Sequence, residues 1–100
     1  MMPTYILLCR DKADHGALRA ETREAHLGYI KGAANAVLLA GPLLDDDEKP
    51  VGSMLIIEAS NLDDAKQFAA GDPYARAGLF QTVDVRPYRI VTGELAKEKA

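Results

Sequence analysis

PTYILLCR, residues 3–10, decides the fold: Tyr5, Ile6, Leu7 and Leu8 are apolar in succession, so a strand here is apolar on both faces. Pro3 before it and the polar Asp11 to Asp14 after it bound it. Over 16–35 the spacing turns helical. Leu18, Thr22, Ala25, Tyr29 and Ala33 form a stripe that Ile30 and Ala34 widen, and Gly32 weakens it without ending it. VLLAGPLL, residues 37–44, predicts a second strand, with Pro42 at an edge or a bulge. Past an acidic turn, DDDEKP, the stretch VGSMLIIEA (51–59) predicts a third strand, again apolar on both faces. Ser60 or Asn61 then caps a helix through Leu62, Ala65, Phe68 and Ala69, with Asp63 and Asp64 in its first turn and Gly71 at its end. Asp72-Pro73 has the form of a cap followed by proline at the first helical position, so 73–79 is expected as one more short helix. Residues 81–91 alternate as a last strand, with Pro87 at an edge or bulge.

The order is β-α-β-β-α-β. That is the ferredoxin-like α+β arrangement, a four-stranded antiparallel sheet with both helices on one face. An antiparallel sheet with one solvated face alternates apolar and polar residues, which the first and third strands do not. The second face therefore needs its own cover, and the simplest source is another copy of the same sheet, which predicts a homodimer with sheets face to face. Residues 1–93 are expected as a single domain and 94–100 as a polar tail of mild helical propensity.

One hundred residues with 48% apolar and 27% charged side chains fit one globular domain. A chain of this size buries only roughly 60–70% of its unfolded surface, so association would help it. Twelve basic against fifteen acidic residues, with no Lys/Arg run, lack the positive footprint that phosphate backbones require, so no nucleic-acid partner is expected. No apolar run approaches the ~20 residues of a membrane span, and the N-terminus lacks the pattern of a signal peptide. The single Cys9 forms no internal disulfide. A cytoplasmic location follows as the expectation.

His26 leads the candidate site residues. Its helical neighbours Thr22, Tyr29, Ile30 and Ala33 lie on the apolar stripe, so it points inward, with Arg23 and Arg19 leading toward it on the same side. It is either a core histidine satisfied by one hydrogen bond beside two solvated arginines, or a working acid–base group. Asp72 is explained by helix capping alone, yet a carboxylate can cap a helix and still hold a histidine in one tautomer. Sequence spacing leaves open whether Asp72 reaches His26. His15 is expected to face solvent or cap the helix. Cys9 reads as a buried inert thiol rather than a nucleophile, and Ser53 as a strand hydroxyl lining a pocket. Two histidines and one cysteine make no zinc site of usual spacing, the DDDE run lacks the pattern of a calcium loop, and no glycine-rich phosphate loop is present. No cofactor and no metal are expected.

Asp11-Lys12-Ala13-Asp14, Arg23-Glu24-Ala25-His26, Ala40-Gly41-Pro42 and Gly71-Asp72-Pro73-Tyr74, followed by Arg86-Pro87-Tyr88, resemble the YCII-related (YciI-like) proteins over roughly Tyr5 to Val91. The resemblance implies the fold of the dimeric α+β barrels, which include muconolactone isomerases and chlorohydroxyhydroquinone dehydrochlorinases. It also implies a site with a His–Asp pair at His26 and Asp72, and an arginine at Arg23. It supplies a site without a substrate. The compact DDDEKP turn stands where related proteins often carry a longer loop, so a lid over the cleft is not implied.

Two functions follow as expectations. One is a lyase- or isomerase-type enzyme without cofactor, acting on a small cyclic or aromatic acid. There His26 moves the proton, Asp72 orients it, Arg23 and Arg19 bind a carboxylate or enolate oxygen, and Tyr74 and Ser53 close the pocket. The other is a homodimeric module that binds or senses a small anion without turnover. A third, purely structural reading makes the dimer interface itself the function.

Overall fold

The computed structural model describes residues 2–96. The elements run β1 (Thr4–Asp11), α1 (Gly16–Gly32), β2 (Val37–Leu44), β3 (Pro50–Glu58), α2 (Leu62–Gly71), α3 (Pro73–Arg76) and β4 (Phe80–Tyr88). The strands form one antiparallel sheet in the order β2-β3-β1-β4. The two doubly apolar strands are the central pair, and the proline-bearing β2 and β4 are the edges, where a missing ladder donor costs least.

Strand alternation sorts the central residues. Tyr5, Leu7 and Cys9 of β1 and Leu55 and Ile57 of β3 point to one face and form the core with Ala65 and Ala69 of α2, against which Ile30 of α1 and Phe68 also pack. All three helices therefore serve one face of the sheet. The opposite face pairs Ile6 with Ile56 and Leu8 with Met54, and among the described residues no helix packs on it, although Ile56 is itself buried. Ile6, Leu8 and Met54 remain half-buried, and Leu39 on the neighbouring edge strand is 44% exposed.

Two helix ends differ from the sequence reading. α1 stops at Gly32 rather than Asn35, and the N–H groups of Ala33, Ala34 and Ala36 turn back onto carbonyls of the preceding residues. Glycine, the poorest helix former short of proline, marks the end. α3 is a single turn, 73–76, after which Gly78 takes a φ of +79° to lead into β4 at Phe80. The inward stripe of α1 is also rotated. Ala25 and Ala34 are exposed, whereas the buried residues of the helix are Arg19 and His26. Each has an acidic partner in the core, so each can be buried as a satisfied pair. Gly93 and Ala96 form a last turn, and residues 97–100 of the expected polar tail lie outside the described residues.

Candidate active site

Asp72, 4% exposed, sits between α2 and α3, and its carboxylate makes contacts to both the start of α3 and His26. Its Oδ1 accepts the backbone N–H of Tyr74 at 2.9 Å, which caps α3 ahead of Pro73. The same carboxylate lies 2.9 Å from His26 Nδ1 through each of its oxygens. A carboxylate at that distance takes the Nδ1 proton as a hydrogen bond, so the neutral ring carries its lone pair on Nε2. Nε2 has no protein partner among the described residues, and it is not sealed off. His26 belongs to the wall of a cavity of about 600 Å³ between α1 and the β2–β3 edge of the sheet.

Tyr74, on the one-turn helix that Asp72 starts, orders the rest. Its ring stacks on His26 with centroids 4.1 Å apart and 16° between planes, and the Arg19 guanidinium lies 4.4 Å from the same ring. Arg19 and His26 are seven residues apart, about 10.5 Å along a helix, and the tyrosine ring fits between them. Burial works against the Arg19 charge, but the hydrogen bonds and charge of Asp11 outweigh it and raise its pKa. Arg19 Nε and Nη2 donate to the two Asp11 oxygens at 2.6 and 3.0 Å, and Nη2 also donates to Ser53 Oγ at 2.9 Å. Arg19 is thus a buried wall of the cavity, held by Asp11, Ser53 and Tyr74, and not one of the two solvated arginines of the core-histidine reading. Burial raises the Tyr74 phenol, with Arg19 and Arg23 opposing and Asp72 and Asp11 reinforcing the shift.

The structure brings His26, Asp72, Arg19, Ser53 and Tyr74 into one connected set, and Arg23, exposed, lines the same cavity with no ion-pair partner among the described residues. Asp11 is the member that sequence reasoning missed, having placed it in a polar loop. Its parity with Tyr5, Leu7 and Cys9 on β1, once the strand is extended by one residue, was the available signal. Cys9 lies beneath this set. Burial, then the charges of Asp72 and Asp11, push its thiol up to about 12, which agrees with an inert thiol. His15 stands at the start of α1 without capping it; its Nδ1 is 2.7 Å from the Ala13 carbonyl. Among the described residues no three His, Cys, Asp or Glu side chains converge as a metal ligand set.

Residues 3–89 match the family model described as the YCII-related domain. An uncharacterized protein of Haemophilus influenzae is 38% identical over 95 residues, covering 87% of this chain and 97% of its own. Protein YciI of Escherichia coli O6:H1 is 34% identical over the same shares of the two chains. Among solved structures, the 5-chloro-2-hydroxyhydroquinone dehydrochlorinase TftG of Burkholderia phenoliruptrix, in complex with 2,5-dihydroxybenzoquinone, superposes with a TM-score of 0.80 at 28% identity, covering 86% of this chain and 93% of that one.

Proposed function

The chain belongs to the YCII-related family, and we propose that it is a lyase- or isomerase-type enzyme that moves a proton on a small cyclic or aromatic acid without a cofactor. The observation that carries this reading is the His26 ring, held by Asp72 at Nδ1 and open to the cavity at Nε2. Nε2 takes a proton from a carbon or hydroxyl made acidic by a neighbouring carbonyl. The Asp72 carboxylate stabilises the imidazolium that forms. Arg23 pairs with the carboxylate or enolate oxygen, and Tyr74 and Ser53 close the cavity floor. Return of the proton to another carbon completes an isomerisation. In an elimination the C–H electron pair becomes the double bond, the halide leaves with the C–X electrons, and His26 passes its proton to solvent.

The similarity to a dehydrochlorinase of a hydroquinone supports an aromatic substrate. The half-buried apolar Ile6, Leu8 and Met54, on a face that no helix of the described residues covers, support a homodimer packed sheet to sheet, and we place it in the cytoplasm. The test is chloride release from 5-chloro-2-hydroxyhydroquinone, alongside deuterium exchange into enolisable ring acids followed by NMR. His26→Ala is expected to lower either rate by about 10²–10⁴-fold with the fold intact; an unchanged rate would sink the assignment. Absence of turnover, with 2,5-dihydroxybenzoquinone binding that ignores His26→Gln but is lost in Arg23→Gln, would establish the small-anion binding or sensing module instead.

A further inference from the structure

We propose that the cavity selects a substrate with two separated acidic groups, bound at one end by Arg23 and Lys49 and at the other by Lys31; this rests on the cavity being the substrate site. Its lining includes Arg19, Arg23, His26, Lys31 and Lys49 and, among the described residues, no carboxylate. Arg19 is neutralised by Asp11, and His26 is held by Asp72. Arg23, Lys31 and Lys49 form no ion pair among the described residues. Three cations without an ion pair line one cavity of a chain whose net charge is −3, although Lys49 closes the acidic 45–48 turn and donates its backbone N–H to Asp45, and a cleft lined by one sign of charge concentrates ligands of the other.

Their placement argues for two anionic groups rather than one. Arg23 is three residues before His26 on α1 and Lys31 five residues after it, so their backbones stand about 4.5 and 7.5 Å to either side of the histidine. Lys49 adjoins Pro50 at the hairpin end of β3, beyond the Ser53 that Arg19 grips, and so belongs to the Arg23 end. Between the ends, beside His26, the lining includes the apolar Leu27 and Ile30 on the helix and Pro42 on the strand. A ring carrying an acidic group on opposite sides would satisfy both ends and rest its apolar body between them, with the reacting carbon beside Nε2. A monoanion leaves one end unanswered.

The test compares terephthalate with its monomethyl ester, the same shape with one charge fewer, by calorimetry at low salt. The dianion is expected to bind at least about tenfold more tightly, the scale of one charge-assisted hydrogen bond. Lys31→Gln should erase that preference while leaving the ester's affinity unchanged, and added sodium chloride should narrow it. Equal affinities, binding of neither probe, or a preference that survives Lys31→Gln would overturn the proposal. His26→Gln separates the two readings. It should keep the dianion preference while losing turnover, so proton transfer can fail without charge selection failing, and the reverse.

Discussion

Asp72 carries two duties on one carboxylate, and substitutions can separate them. Asparagine is as good a helix cap as aspartate, and its oxygen can still accept a hydrogen bond. Asp72→Asn should therefore leave thermal stability nearly unchanged while removing the negative charge that stabilises a protonated His26. Turnover is expected to fall by about tenfold or more. Asp72→Ala removes both duties. The lost cap costs about 1 kcal/mol, and the stranded His26 N–H adds roughly 1–3 kcal/mol, which urea unfolding would measure. Equal stability of the two variants would show that neither the Tyr74 N–H bond nor the acceptor for His26 contributes.

At the scale of elements, the site depends on α1 lying close to α2, so that His26 on one meets Asp72 at the end of the other. Tyr29 makes that contact. Its hydroxyl donates to the Phe68 carbonyl at 2.8 Å, its ring stacks on Phe68 at 4.9 Å, and a Cβ placed on Gly71 would come within 2.6 Å of the hydroxyl. Glycine to alanine near a helix end ordinarily stabilises by up to about 1 kcal/mol. Here the sign reverses, because the new methyl displaces the tyrosine and its hydrogen bond. Gly71→Ala is expected to destabilise by about 1–2 kcal/mol. Adding Tyr29→Phe should recover part of that loss, since the oxygen is the closest obstacle. Additive effects of the two changes would refute the contact.

At the scale of the whole molecule, one sheet face carries no helix among the described residues. Ile6, Leu8, Met54 and Ile56 form an apolar band across the two central strands, while Asp84 and Arg86 pair with each other beside it on β4. A second copy over this band would give each strand the burial that its doubly apolar sequence anticipates. Leu8→Asp puts a charge at its centre. Light scattering should find the wild type dimeric and the variant monomeric at micromolar concentration; a variant that stays dimeric would place the interface elsewhere.

Much of this was legible along the chain, for physical reasons that differ residue by residue. The strands announced themselves through period-two and doubly apolar runs, and Asp72-Pro73 announced a helix start, because these signals depend only on neighbours in sequence. The inward stripe of α1 was misjudged by about one position, since hydropathy cannot register that Arg19 and His26 are buried with partners 8 and 46 residues away. Asp11 was missed for the same reason. The sequence by itself determined the element order, the sheet's two apolar faces and a histidine directed inward, all consequences of local periodicity. Only the tertiary structure decided that Asp72 reaches His26, that Tyr74 lies between His26 and Arg19, and that Lys31 and Lys49 share a cavity with them. Those are meetings of distant segments, and their distances are set by how the helices pack on the sheet.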